Sequence, residues 1–282
     1  MRKNRNSSRA AQFEFERILR ARILRSPQKD RKAIVEQAYT ELFERFPEHS
    51  VFMATQEESK RKGKLGSGLI IPLSKRGSDV LEVGCGRGDV LMTLAEQGRI
   101  CTGTEISQHM QELCNKHGKN NVKIVRGSAD SLNFPTGSFD VVFSQEVLEY
   151  LHPEDVPRHF AEAFRVLRPN GIFSVETPNW RTGPQDISRG FTRVAEGLHL
   201  KEWSVRELIQ LFQKTGFTRI RGLLAPQFIA RRSEAIHRYS QVPGIVKYFQ
   251  DLVLAIVPTL AMRTVVGKIL GLDDIFLFAK KP

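Results

Sequence analysis

The stretch Val80-Leu81-Glu82-Val83-Gly84-Cys85-Gly86-Arg87-Gly88-Asp89 joins an apolar run, an acid and three alternate glycines. The apolar run reads as a buried strand, and Val90, Leu91, Leu94 and Ala95 as the inner face of a helix that follows. Glycines between the two let the backbone turn with positive φ and approach a ligand closely. The N–H groups that open the helix then face whatever sits above the strand. That places a small-molecule site at the carboxyl end of the first strand of an α/β sheet. A dinucleotide fingerprint G-x-G-x-x-G is absent, because Asp89 and Val90 stand where its last glycine belongs, and there is no G-x-x-x-x-G-K-[ST] phosphate loop. A second acid, Glu105, ends the short strand-like stretch Ile100–Glu105. It lies about twenty residues past the loop, where a carboxylate can accept both hydroxyls of a ribose. The same residue can instead cap a helix over residues 107–116; its place at a strand end favours the ribose.

The elements that must position these groups follow in order. Residues 122–127 and 138–144 read as strands, residues 147–151 as the start of a helix and residues 160–167 as its continuation. Arg168-Pro169-Asn170-Gly171 is a turn into a strand over residues 172–176, and residues 275–279 form the last strand. Short apolar strands alternating with helices argue a parallel, doubly wound sheet.

The words VLEVGCGRGD, GTEIS, FDVVFSQEVLEYL and RVLRPNGIF resemble, in that order, the motifs of the class I S-adenosylmethionine (SAM)-dependent methyltransferases, in particular the ubiquinone-biosynthesis and small-molecule O-methyltransferases. The resemblance is close over residues 77–180 and looser to Phe217 and at residues 274–280. It implies an α/β, Rossmann-like sheet of seven strands, mostly parallel with an antiparallel last strand, with N-terminal helices and a helical C-terminal insertion. It also implies an enzyme with SAM as cofactor. SAM is cationic at sulfur and at its amino group and carries no phosphate, which suits the acid beside the glycine loop. By this resemblance the backbone of Gly84, Cys85, Gly86 and Gly88 holds the methionine part, and Glu82 orients that loop or the amino group. Glu105 takes the ribose diol, Ile106 packs on adenine, and Ala129 offers its backbone to the ring. Ser144 and Gln145 offer polar groups near the amine. Ser128 stands where the family often has an acid for the adenine amino group, and Asp130 is the substitute.

Acceptor-side residues follow from the same resemblance. The segment Gln145–His152 sits beside the methyl group in this fold, with Tyr150 where relatives commonly have a histidine. The stretch from His199 to Phe217 resembles the H…(S/T)…EL…GF segment of ubiquinone-type enzymes. His199 is therefore the first candidate for a general base, a task suited to a histidine neutral near pH 7; it can equally fix the insertion by hydrogen bonding. Glu146, Glu149 and His152 are the further candidates. Arg181, Arg189 and Arg193 can bind an acidic acceptor or be surface charges. Ser204 reads as the N-cap of a helix Val205–Thr215, with Glu207 at the capping-box position and Gly216 as its stop.

Length and composition bound the rest. The 282 residues, 40% hydrophobic, can bury a full core. The three cysteines, Cys85, Cys101 and Cys114, have neither disulfide nor metal-ligand spacing, which suggests a reducing compartment and no metal. The chain carries a net charge of +12, with the basic excess at its start. Residues 1–62 read as a basic helical extension, and residues 63–282 as the methyltransferase domain, with acceptor-side insertions at 183–202 and 223–271. The first eight or so residues look disordered. A helix over residues 10–25 can lie on an anionic membrane or dock on the protein itself. A second helix, over residues 28–48, is stopped by Pro47. Gly63 to Gly68 read as a hinge-like linker that lets the N-terminal helices act as a lid. There is no signal-peptide h-region, and the apolar stretch 245–270 is interrupted by Pro258, Arg263 and Lys268, so it reads as two helices and not as a membrane span.

The expected protein is cytoplasmic, with peripheral membrane contact conceivable through the basic N-terminus and the apolar C-terminal helices. The expected acceptor is a hydroxyl of a small molecule, a lipid- or quinone-like compound or a glycan. A protein or RNA methyltransferase and a non-catalytic SAM-binding scaffold are the alternatives. No specific nucleic acid is predicted: an N/D-P-P-[YF] motif is missing after the fourth strand, and no cysteine follows Cys114.

Overall fold

The computed structural model describes residues 2–46, 56–108, 110–111, 122–224 and 240–282. Five strands pair in parallel: β1 (Asp79–Val83), β2 (Ile100–Glu105), β3 (Val122–Arg126), β4 (Phe139–Gln145) and β5 (Leu167–Pro178). Three more complete the sheet: β6 (Thr218–Leu224), β7 (Ser240–Pro243) and β8 (Asp274–Lys280), in the spatial order β3-β2-β1-β4-β5-β8-β6-β7. β8 runs antiparallel to β5 and β6, and β7 runs antiparallel to β6. The expected Rossmann-like architecture is therefore present with eight strands instead of seven. The extra one, β7, lies in the C-terminal insertion and was invisible to periodicity because it is only four residues long.

Helices cover both faces: α1 (Arg2–Leu24), α2 (Gln28–Arg45), α3 (Gln56–Ile70), α4 (Asp89–Glu96), α5 (Val156–Val166), α6 (Val205–Thr215), α7 (Gly244–Ile256) and α8 (Leu260–Leu270). One core joins Val156, Phe160 and Val166 of α5 and Val205, Leu208 and Phe212 of α6 to Phe173 of β5. The rings of Phe160, Phe173 and Phe212 meet with centroids 5.0–5.6 Å apart, partly edge to face, the favoured geometry for aromatic quadrupoles. The opposite face packs Leu91 and Leu94 of α4 and Ile70 of α3 on Val80, Cys101 and Val141. The cap of α6 is as expected: Ser204 and Glu207 form a capping box, and Gly216 closes the helix in the left-handed conformation.

Several local expectations are corrected. The chain is helical from Arg2, not disordered over its first residues. α1 docks on the protein itself: Phe13, Leu19 and Ile23 are buried, and Arg20 donates to the carbonyls of His199 and Leu200. Residues 147–151 form a turn and not a helix; Glu146, at φ +53°, breaks the path out of β4, and the next helix starts only at Val156. The turn at Arg168–Gly171 is absorbed into β5, with Asn170 at φ +66°. Most of the helix expected over residues 107–116, with Cys114, lies outside the described residues, as does Pro47.

The hinge expected at residues 63–68 is the middle of α3, and the boundary expected at 62/63 falls inside that helix. Its glycines serve close packing. A Cβ at Gly63 would stand 2.5 Å from Asp89 O and from Thr93 Oγ1 of α4, and one at Gly66 would stand 2.6 Å from Val90 Cγ2. On an exposed helix or in a loose linker, Gly63→Ala would stabilise by up to about 1 kcal/mol. Here it is expected to destabilise by about 1–3 kcal/mol through overpacking. Urea unfolding of the two proteins decides between the signs; a raised midpoint would refute the packing argument.

Candidate functional site

Parallel pairing brings the carboxyl ends of β1, β2 and β4 side by side. At β1 the chain turns through Gly84 (φ +73°) and Gly86 (φ +50°), conformations open to glycine at no steric cost. The amides of Gly84 and Cys85 donate to Thr104 O at 2.8 and 3.1 Å, which ties the turn to β2. Gly103 of β2 lets Cys85 sit close, since a Cβ there would stand 2.6 Å from Cys85 Sγ. Gly88 (φ +74°) precedes α4 as its N-cap.

A cavity of about 750 Å³ opens above these strand ends, within the size range of small-molecule sites. Glu82, Gly84, Cys85, Gly86, Glu105, Ile106, Ala129, Gln145 and Glu146 all reach it. The carboxylate of Glu105 accepts from the amides of Gly86 and Ser107, each at 2.9 Å. Burial raises its pKa above the ordinary carboxylate value, against the lowering effect of those amides.

Other expected residues do not reach the cavity. Gly88 lies behind the loop as a helix cap. Asp130 is engaged by Ser128 Oγ and by the Arg158 guanidinium at 2.9 Å, while Ser128 itself lines the cavity. Ser144 is fully buried and hydrogen-bonded to His159 Nε2 at 3.1 Å. Burial pushes His159 down to about 4, so it is a neutral core histidine. His152 does not line the cavity: its ring meets Leu24 O at 3.3 Å and accepts from the Glu154 amide. Glu149 is buried below the wall, where it accepts from Thr177 Oγ1 at 2.9 Å.

His199 is buried and reaches the cavity only through Tyr150, which lines it. Its Nε2 lies 3.3 Å from the Tyr150 hydroxyl and its Nδ1 lies 2.9 Å from Glu202 Oε1. Burial alone would lower the His199 pKa, but the hydrogen bond to Glu202 and the nearby Glu149 outweigh it, so the net shift is upward. Glu202 escaped sequence reasoning; its spacing of three from His199 was the only available signal.

Sequence reasoning also missed most of the outer wall. Val35, Tyr39, Leu42 and Phe43 of α2 and Arg61, Lys62, Leu65 and Leu69 of α3 enclose the cavity from above. Glu176, Asp274, Phe276 and Lys247 close its far end. α2 is fastened there by buried Arg31, which bonds Asp155 at 2.6 Å and Glu154 at 2.9 Å. Glu176 is raised well above the usual carboxylate range by burial and by the neighbouring Asp274, Glu146 and Glu149.

These groups fit SAM. Glu105 can accept from ribose hydroxyls, and Ile106 and Ala129 offer an apolar seat to the adenine. Gly84 and Gly86 line the cavity at the turn, where the methionine part can lie. Glu82 and Glu146 suit a cationic ligand centre, and Arg61 and Lys62 its carboxylate. Among the described residues no three His, Cys, Asp or Glu side chains converge to hold a metal ion.

Comparison with known proteins agrees with this geometry. A family model described as a methyltransferase domain matches residues 81–175. The chain is 34% identical to a probable SAM-dependent methyltransferase of Mycolicibacterium smegmatis over 145 residues, 50% of this chain and 52% of the relative. It is 27% identical to the sterol 24-C-methyltransferase ERG6A of Gibberella zeae over 221 residues, 73% of this chain and 56% of the relative. The chain thus spans about half the length of the curated relatives it matches. Among solved structures, a SAM-dependent methyltransferase from Archaeoglobus fulgidus shares the fold with a TM-score of 0.56 at 20% identity. That match covers 86% of this chain and 99% of the other.

Burial raises the pKa of Glu149 to about 8, against the lowering effect of His199. A carboxyl that binds its proton more tightly when folded stabilises fully below its ordinary value of 4.5, and that stability is lost as pH rises through about 8. Glu149→Gln removes the titration. The wild type is expected to lose a few kcal/mol, on the order of its linkage, between about pH 5 and about pH 9 relative to the variant. Urea midpoints across that range test this; parallel pH profiles would place the Glu149 carboxylate in an ionised, solvated setting.

Proposed function

Because the chain carries a methyltransferase domain match over residues 81–175, we propose that it is a class I SAM-dependent methyltransferase and transfers the methyl group of SAM to a hydroxyl of a largely apolar, lipid- or quinone-like acceptor. The observation that carries this reading is the cavity itself. Glu105 and the glycine turn stand on its floor, while Val35, Leu42, Phe43, Leu65, Leu69, Leu198 and Phe276 give it an apolar wall. The relative named as a sterol methyltransferase supports a lipid acceptor.

When bound, SAM supplies an electrophilic methyl carbon for in-line displacement by the acceptor. Glu105, Glu82 and the glycine turn would hold and orient the donor. α2 and α3 exclude water, which strengthens the electrostatics inside. The protein's remaining task is to align the acceptor and take up its proton. Tyr150 does this at the wall. Nδ1–H of His199 donates to Glu202, which leaves Nε2 with a lone pair toward the Tyr150 hydroxyl. As the acceptor oxygen forms its bond to methyl, its proton passes to the Tyr150 oxygen while the tyrosine proton passes to His199. Glu202 then stabilises the imidazolium. His199 is thus a positioning and proton-storing residue behind Tyr150. Glu146 and Glu176 contribute hydrogen-bonding groups that fix the polar end of the acceptor.

Calorimetric titration with SAM and S-adenosylhomocysteine tests the cofactor site. Glu105→Ala is expected to weaken binding by at least about tenfold, the order set by charge-assisted hydrogen bonds. Transfer of labelled methyl to sterols, quinols, phenols and glycans, set against RNA and protein, tests the acceptor class. With the best acceptor, Tyr150→Phe is expected to lower kcat about a hundredfold or more while leaving SAM affinity nearly unchanged. Transfer only to RNA or protein, or a Tyr150→Phe enzyme of full activity, would overturn the assignment.

A further inference from the structure

α7 is partly inverted. Its two charged residues point inward together with Leu254, while four of its larger apolar residues point to solvent. Lys247 is 1% exposed and donates to Gly271 O at 3.3 Å. Asp251, also 1% exposed, accepts from Asn179 Nδ2 and Arg181 Nε, each at 2.9 Å. These polar anchors fix the rotation of the helix about its axis. Ile245, Phe249, Val253 and Ile256, at intervals of four, four and three, then form one outward stripe, with Phe249 60% and Ile256 81% exposed. α8 adds a second outward stripe of Met262, Val265 and Ile269. The short helical turn at Trp180 packs against α8 through the bond from Thr264 Oγ1 to Thr182 O, and Trp180 is itself 45% exposed beside its neighbour Arg181.

An apolar surface this continuous on a water-soluble face marks a docking site. Its charge identifies the occupant. Asp251 is the sole acid on either helix and is buried, whereas Lys268 is exposed and Arg263 is partly exposed. Two helices that expose cations and no carboxylate complement an anionic layer above an apolar interior. Exposed tryptophan beside arginine suits the headgroup boundary. No helix among the described residues is long and apolar enough to cross a membrane, so contact here is in the plane of the surface. Lys247 of α7 and Gly271, the C-cap that follows α8, line the cavity.

We infer that the outward face of α7 and α8 is a docking surface for an anionic lipid membrane, lying flat on the bilayer with the cavity directly behind it. This location differs from the one suggested by the basic N-terminus, because the apolar side of α1 is used in packing.

Flotation of the full chain with phosphatidylcholine vesicles, with and without phosphatidylglycerol, tests the inference. The protein is expected to float with the vesicles, more strongly when phosphatidylglycerol is present. Phe249→Glu/Ile256→Glu on α7 and, separately, Val265→Glu/Ile269→Glu on α8 are each expected to weaken flotation by about tenfold or more. Ile18→Glu, at an exposed apolar position on α1, should have no effect. Absence of flotation by the wild type, or undiminished flotation of both double variants, overturns the inference. So does a concentration-dependent dimer in lipid-free buffer that the same variants dissociate, which would give the face to a second copy. Circular dichroism confirms folding. SAM titration on the same samples separates the outcomes: vesicle binding without SAM binding refutes the proposed reaction and leaves the membrane surface standing.

Discussion

A buried main chain that leaves a strand without entering a helix must find partners for its N–H and C=O groups, and the site is organised around that requirement. Between Glu146 and Leu151 the chain can satisfy only part of itself. The amide of Tyr150 reaches Val147 O, and the amide of Glu146 reaches back to Glu176 O. The carbonyl of Glu149 takes the amides of Leu200 and Lys201, and the carbonyl of Leu148 takes the indole N–H of Trp203. The irregular insertion over residues 183–202 is therefore not a loose loop. It is the complement of this turn, and the same pairing brings His199 against Tyr150.

Electrostatics follows from the same geometry. Glu105, Glu149 and Glu176 lie in or beside one enclosed volume, and burial raises all three. Desolvation disfavours each anion, so a cationic ligand would relieve a cost already built into the fold. Glu105 is the least simple of the three, because two amides hold it toward the ionised form.

What the sequence made legible is what local chemistry controls. A glycine turn after an apolar run needs no knowledge of the rest of the chain, and Glu105 is found from the position where its strand ends. Gln145, Ile106 and Ala129, singled out by motif order, all line the cavity. Ser144, His152 and Asp130 do not line the cavity, for one reason: each side chain is claimed by a partner that is distant in sequence or in a neighbouring turn. His199 was selected, but its route to the cavity through Tyr150 depends on an insertion whose course no periodicity predicts. The glycines of α3 read as flexibility and turned out to be tight packing, since composition alone does not distinguish a hinge from a crossing point. Lys247 was hidden because an inverted helix presents the same hydropathy as an ordinary one.

The fastening of α1 carries a further consequence. Arg9 donates to Arg189 O, Arg20 to His199 O, and Glu16 accepts from Leu198 N, each pair separated by about 180 residues. A ribosome releases α1 well before residues 189–200, which emerge only after β5 is complete. α1 must therefore wait for this part of its seat, and the sheet can condense before α1 is fitted. The same asymmetry applies in the finished molecule. The contacts of α1 with the insertion are a few hydrogen bonds, the Arg17–Glu196 ion pair, the Phe13–Phe191 stack and one small apolar cluster, none of them part of the sheet, so α1 can detach by sub-global opening while the sheet stays intact. α2 shares that apolar cluster with α1 and carries Leu42 into the cavity wall, so such an opening removes its backing and gives the cavity an entrance that needs no hinge.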